Sequence, residues 1–341
     1  MQERNVKKTL TSLLVAAVAY AAAPVHAGTL EDVKARGNLL CSSTTGSPGF
    51  SMPDDTGKRH GLEVDVCRAI ATAVFGDPER HKIVVLNPTQ RFTALQSGEV
   101  DVLFNTTTWT LSREGAGALY AGVTYYDGQG VLVRKGTIAS AKELDGGAIC
   151  TNQGSTTELN LVDFFRANKV SNEVITFATV QEAANAYESG RCDAWSADAG
   201  ILAALRSKMK APDDHVILAD RLSKEPLGAA VRKGDDAWFS VVRWSIFALQ
   251  AAEELGLTSK NIAEQAASTT NPEVLRFVGK EGSLGKVLGL DADWAYQIVA
   301  QVGSYAEIFD RNVGAASPLN LERGINASWK NGGLFYTPPF R

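Results

Sequence analysis

Asn105-Thr106-Thr107-Thr108, followed by Arg113, puts a run of hydroxyls and one guanidinium within a short stretch of chain. Neutral donors beside a fixed cationic fork suit a carboxylate. Two other stretches supply different groups. Ser155-Thr156-Thr157-Glu158 has capping-box spacing, so Gly154 to Thr157 is expected at a helix amino terminus, where free amides attract an anion. Asp193-Ala194-Trp195-Ser196-Ala197-Asp198 ends on an acid suited to hold an ammonium through a charge-assisted hydrogen bond. Each has a plainer reading as well: the box merely starts a helix, and Asp198 merely caps the next one, Ala199 to Lys208. Arginine and helix amides for a carboxylate, with an acid for an amine, are together the complement of an α-amino acid.

These groups need elements to place them. Ser97-Gly98 reads as a helix stop, and Val100 to Phe104 as a short buried strand that breaks into threonines at its carboxyl end. In open α/β sheets, ligands sit beyond that end of the strands. Upstream, a helix is expected over Leu30–Ala35 and a strand over Leu39–Cys41. Val64, Cys67, Ala71 and Val74 recur at helical spacing; strand Lys82–Leu86 and helix Arg91–Gln96 follow. That alternation belongs to a parallel α/β sheet. A second copy comes next: strand Val131–Lys135, a short helix over Ala141–Leu144, and strand Ala148–Cys150 entering a polar loop, Thr151–Ser155. Leu39-Leu40-Cys41 matches Ala148-Ile149-Cys150, and Ser97-Gly98-Glu99-Val100-Asp101 matches Ser189-Gly190-Arg191-Cys192-Asp193. Two lobes on one plan are therefore expected. Ser223 to Gly228 reads as a return crossing, Ala229–Arg232 as a strand and Asp236–Leu255 as a strong helix. Helical segments at Trp294–Val302 and Tyr305–Arg311 precede an apolar tail, Gly332–Phe340, expected to pack on the first lobe. Asn326-Ala327-Ser328 fits a glycosylation sequon, too short a motif to carry a role.

The first 27 residues differ from the rest. Arg4, Lys7 and Lys8 make a basic start, Leu10 to Ala23 is apolar apart from Thr11 and Ser12, and Val25-His26-Ala27 offers small residues before a cut. This is the pattern of a secretory signal peptide cleaved after Ala27, since the apolar run falls short of the roughly 20 residues a membrane span needs. Losing Arg4, Lys7, Lys8 and Glu3 moves the formal charge from −4 to −6. A mildly acidic surface without basic runs leaves no footprint for nucleic acid. Export also favours disulfides for Cys41, Cys67, Cys150 and Cys192, with three pairings open. No metal-ligand spacing stands out, and no cofactor is expected.

Phe92 to Asp101 (FTALQSGEVD), Tyr125 to Gly130 (YYDGQG), Thr157 to Leu161 (TELNL) and Ser223 to Gly228 (SKEPLG) carry a resemblance, as do Arg311-Asn312-Val313-Gly314 and the closing Gly-Gly-Leu-x-Tyr-x-Pro-Pro. The mature chain resembles the periplasmic solute-binding proteins of polar amino-acid ABC transporters, in the general L-amino-acid-binding subgroup. That resemblance implies a type II periplasmic binding protein-like α/β fold: two lobes joined by a two-strand hinge, with a C-terminal helical extension on the first lobe. It divides the chain into a leader (1–27), a first lobe (28–126 and 228–341) and a second lobe (127–227). It places Arg113 on the α-carboxylate, Thr106 and Thr108 on the hydroxyl positions beside it, Thr156 (with Ser155) at the helix-start donor, and Asp198 on the α-amino group. It pairs Cys41 with Cys67 and Cys150 with Cys192. The implied partners are an L-amino acid and the permease subunits of the inner membrane, for a monomer working in the periplasm.

Two departures bear on side-chain preference. Asn105 stands where the subgroup usually carries an arginine, and Ser47 stands where histidine and lysine binders carry a stacking aromatic, so a roomier, less selective pocket is expected. Two rivals exist. An amino-acid dehydratase on a similar two-lobed fold needs a positioned acid or base, and His60, His81 and His215 are not expected at ligand-facing strand ends. A sensory binding domain is disfavoured by the lack of a second apolar span.

Overall fold

The structure, a computed structural model, describes residues 28–341; the expected leader lies outside the described residues. In the first lobe, α1 (Thr29–Arg36) leads into β1 (Leu39–Ser43), whose Leu39 and Cys41 are fully buried. A small hairpin of β2 (Met52–Pro53) and β3 (Arg59–His60) precedes α2 (Leu62–Phe75). Then β4 (His81–Val85) pairs parallel with β1, and α3 (Arg91–Ser97) stops at Gly98, φ 80°, a left-handed position that favours glycine.

The strand expected over 100–104 occupies its place in the sheet but shrinks to single bridges, Cys41 to Val102 and Leu103 to Ala230. Side chains have replaced ladder bonds there. The Leu40 amide donates to the Asp101 carboxylate at 2.8 Å, and the Phe104 amide donates to the Ser42 hydroxyl at 2.9 Å. Asn105 and Thr106, at φ 59° and 43°, then turn the chain out of extended geometry. α4 (Leu111–Gly115), capped by Thr110, leads to the long β5 (Ala118–Asp127).

The second lobe is built on β6 (Gln129–Arg134), β7 (Ala148–Asn152), α5 (Thr156–Asn168), β8 (Glu173–Phe177), α6 (Val180–Glu188), β9 (Ala194–Asp198), α7 (Ala199–Arg206) and β10 (His215–Ile217). Its sheet runs β10-β6-β9-β7-β8, with β7 parallel to both neighbours and β6 antiparallel to β9. β11 (Glu225–Arg232) returns to the first lobe and pairs antiparallel with β5. The first lobe then reads β4, β1, the 102–103 bridges, β11 and β5, which is the order of the second lobe. The internal match seen in sequence is thus a match of strand positions.

The expected long helix is α8 (Asp236–Glu254), with Trp238, Val241, Val242 and Leu249 in the core. Beyond it come α9 (Ile262–Ser268), α10 (Pro272–Phe277), α11 (Leu284–Val287), α12 (Trp294–Gln301) and α13 (Tyr305–Asn312), with α12 and α13 resting on α2 and α8. The tail packs on the same body: Phe340 meets Trp244, Phe277 and Trp294, and Phe335 meets Tyr305. Disulfides join Cys41 to Cys67 and Cys150 to Cys192, each within one lobe. Among the described residues, no helix is long and apolar enough to cross a membrane.

Candidate ligand-binding site

The carboxyl ends of the strands in the two lobes face each other across a cleft with a cavity of about 70 Å³. Thr44, Ser47, Arg91, Asn105 and Thr106 line one wall; Ser155, Thr156, Thr157 and Asp198 line the other. The lobes are closed on each other. The hydroxyls of Thr108 and Thr156 lie 3.3 Å apart, and both donate to the Glu225 carboxylate of β11. A Cβ at Gly200 would come within 3.1 Å of the Phe50 ring, and one at Gly154 within 3.0 Å of Thr89, so both glycines permit the close approach.

Local chemistry explains the wall that carries the threonines. Left-handed backbone at two successive non-glycine residues costs of order 1–3 kcal/mol each. Three buried side chains hold it. Glu63, in the first turn of α2, accepts from the Thr106 amide. Arg91, at the start of α3, donates to the Asn105 carbonyl at 3.1 Å, and the Asn105 side chain donates to the Leu86 carbonyl at 2.7 Å. Asn105 therefore lines the cleft with its amide nitrogen already committed. Arg113 sits on α4 and is half-buried. It donates to the Thr108 carbonyl at 2.7 Å, with its guanidinium 5.4 Å from the centre of the Phe92 ring. Neither Arg113 nor Thr108 belongs to the lining of the closed cleft. The charge of Arg113 nonetheless reaches Asp198 and draws its pKa down.

On the opposite wall Ser155 caps α5, accepting from the Glu158 amide at 3.2 Å; Glu158 turns back to the Gly154 amide at 2.8 Å. The box thus closes on Gly154 rather than on the cap residue's own amide. Asp198 precedes α7 without capping it by its side chain. Its carboxyl is held well above the usual carboxylate range, by burial first and then by the nearby charges of Asp127 and Glu225; Arg91 and Arg113 offset part of this, and no hydrogen bond from the described residues does. A buried acid in that state gains from an arriving cation.

Three groups escaped the sequence reading. Arg91 is buried in the cleft wall, with its pKa pushed down to about 9 by burial and then by Arg113, and its Nε has no hydrogen-bond partner among the described residues. The available signal was its spacing to Ala94 and Leu95, i+3 and i+4 on the buried face of α3. Glu63 is pushed up to about 8 by burial. Glu225 accepts from Thr108, Thr156, Asn160 and Ser223, joining both lobes to the crossing strand. Of the histidines, His60, His81 and His215 lie outside the cleft lining.

Residues 39–262 match the family described as bacterial extracellular solute-binding proteins, family 3. The chain is 49% identical over 339 residues to the general L-amino acid-binding periplasmic protein AapJ of Rhizobium johnstonii, covering 98% of this chain and 99% of that one. It is 49% identical over 329 residues to the glutamate/glutamine/aspartate/asparagine-binding protein BztA of Rhodobacter capsulatus, covering 96% and 97%. Among solved structures, an ABC transporter periplasmic binding protein from Brucella ovis with glutathione bound matches with a TM-score of 0.90 at 50% identity, over 93% of this chain and all of that one. Family, fold and length agree along the described chain: it belongs to the bacterial extracellular solute-binding proteins of family 3, as a binding component of the amino-acid ABC transporter type.

Proposed function

We propose that the chain captures L-amino acids of several kinds in the periplasm, as a monomer, and delivers them to the permease subunits of an inner-membrane ABC transporter. Asp198 takes the α-amino group. Arg113, with the hydroxyl positions Thr106 and Thr108 and the α5 start at Ser155 and Thr156, takes the α-carboxylate; because Arg113 and Thr108 stand outside the lining of the closed cleft, with the Thr108 and Thr156 hydroxyls on Glu225, an arriving carboxylate has to draw these groups away from their present partners. Docking begins on the first lobe, and the second lobe then swings in and excludes water, so that binding shifts an open–closed equilibrium. The observation that carries the reading is Asp198: a buried carboxyl without a hydrogen bond among the described residues, opposite a wall that carries a buried arginine. Arg91, with Thr44, Ser47 and Asn87 nearby, makes the side-chain end of the cleft polar and cationic, which favours polar and acidic side chains.

The glutathione-bound relative supports a second reading, since the γ-glutamyl end of glutathione presents the same zwitterion. Isothermal titration of refolded, ligand-stripped protein with a panel of L-amino acids and glutathione tests both. Heat with several polar amino acids is expected. Folded protein that gives none with any of them would reject capture. Product analysis after long incubation tests the dehydratase alternative, and unchanged amino acid is the expected result.

A further inference from the structure

β5 and β11 form a two-stranded ribbon that carries the chain between the lobes, and a ribbon has two bare edges. The edge of β11 is covered by the threonine segment: the Trp109 amide donates to the Pro226 carbonyl at 2.9 Å, and the Gly228 amide to the Thr107 carbonyl at 3.0 Å. Along β5, backbone groups are satisfied by side chains from the region after β11. Arg243 of α8 donates to the Ala121 carbonyl at 2.9 Å, and Tyr305 of α13 to the Thr124 carbonyl at 2.6 Å. The last pair is different, because it takes both groups of one residue. Asn326 accepts from the Tyr126 amide at 2.7 Å and donates to the Tyr126 carbonyl at 2.9 Å, standing in for a missing neighbour strand. Tyr126 lies opposite Pro226, which has no amide to offer, and immediately before Asp127-Gly128, where the chain leaves for the second lobe.

Asn326 is itself held in place. Arg323 donates to its carbonyl through Nε and Nη2, at 3.2 and 2.9 Å, while pairing with Glu253 of α8 at 2.9 Å. Phe335 packs 5.3 Å from the Tyr126 ring. The same stretch and the second lobe together line a groove of about 570 Å³ that shares no lining residue with the cleft, with Leu321 and Ile325 from the first lobe and Ala199 and Ala203 from the second. Tyr126 to Gly128 line this groove and not the cleft, so a rotation about them that opens the cleft is expected to narrow the groove.

We infer that Asn326 is a positioning residue for ligand capture: by clamping both backbone groups of Tyr126 it fixes the first-lobe half of the hinge, confines rotation to Asp127–Gln129, and lets the C-terminal extension limit how far the lobes open. The inference rests on the closing-lobe reading proposed above. It also gives a role to a tripeptide that matched a glycosylation sequon, whose asparagine is 4% exposed and committed to the hinge.

The test is small-angle scattering and stopped-flow dissociation on the mature chain, with and without L-glutamate, L-glutamine or L-alanine. Asn326→Asp keeps the shape and the acceptor but cannot donate to the Tyr126 carbonyl. It is expected to give a wider ligand-free particle, an unchanged saturated one, and dissociation faster by roughly three- to ten-fold. Ala203→Trp fills the groove behind the hinge and is expected to do the opposite, with a narrower ligand-free particle and slower release. A fall in melting temperature for Asn326→Asp with ligand-free dimensions and release rate unchanged would make the clamp purely structural and overturn the inference, as would an Ala203→Trp protein that opens as widely as the natural chain. A natural chain whose dimensions do not respond to any of the three amino acids would overturn the closing-lobe reading as well.

Discussion

Asp198→Asn separates binding from stability more sharply than any other single change. The Asp198 carboxyl is buried, has no hydrogen bond among the described residues and lies near Asp127 and Glu225, so its ionised form is disfavoured. A group whose folded pKa is raised holds its proton more tightly when folded. Its contribution is therefore fully present below the ordinary value of 3.8 and is lost as pH rises through the raised value. Asparagine has no charge to bury, so the variant is expected to melt at or above the temperature of the natural chain at pH 7, with a flatter decline between pH 4 and 7. Binding goes the other way. Neutralising one partner of a buried, hydrogen-bonded charge pair costs about 3 kcal/mol within a range of about 2–5, which is roughly a hundred-fold in affinity. The natural chain should also release protons on binding an amino acid and bind more weakly at pH 5 than at pH 7, because the ammonium favours the ionised acid. Calorimetry in two buffers of different ionisation enthalpy, with thermal melts of both proteins, reads all of this. A variant that keeps its affinity, or that loses stability as well as affinity, would refute the reasoning.

Arg113→Ala should weaken every amino acid by a similar factor, about a hundred-fold for loss of a charge-assisted contact, whereas Asn105→Arg should raise acidic ligands relative to neutral ones; competition titrations compare the rankings. Glu63→Gln tests the support of the Thr106 turn. Glu63 keeps its proton up to about 8 in the folded protein, against an ordinary 4.5, so it costs stability as pH rises across that window. The variant should gain of order a few kcal/mol over the natural chain at pH 8 and little at pH 4, measured by urea unfolding. Replacing both cysteines of the Cys150–Cys192 bridge, which spans 42 residues, should cost about 4 kcal/mol, and replacing those of the Cys41–Cys67 bridge, which spans 26, about 3.5 kcal/mol.

The parts of the fold that follow local rules were legible from sequence. α8, α13 and the Gly98 stop came from periodicity and capping chemistry, and the two-lobed plan from the paired Cys and Asp positions. The 100–104 strand was over-read because Asp101 and Ser42 take bonds that a ladder would otherwise make, a substitution invisible to a hydrophobic pattern. In the site, the residues at strand and helix ends reached the cleft wall, namely Thr106, Ser155, Thr156 and Asp198. Arg91, Glu63 and Glu225 were missed because a charge in sequence reads as solvated until tertiary packing buries it, and all three are buried. The role of Asn326 depended on a contact spanning 200 residues, which no local pattern reports.

The central claim is that the cleft recognises both ends of a zwitterion. Titration of the natural chain with L-glutamate, with glutarate, which lacks the α-amino group, and with the α-amide, which lacks the α-carboxylate, tests it directly. L-glutamate should bind at least about a hundred-fold more tightly than either analogue. Equal affinity for glutarate would contradict the part given to Asp198, and equal affinity for the α-amide would contradict the part given to Arg113 and the start of α5.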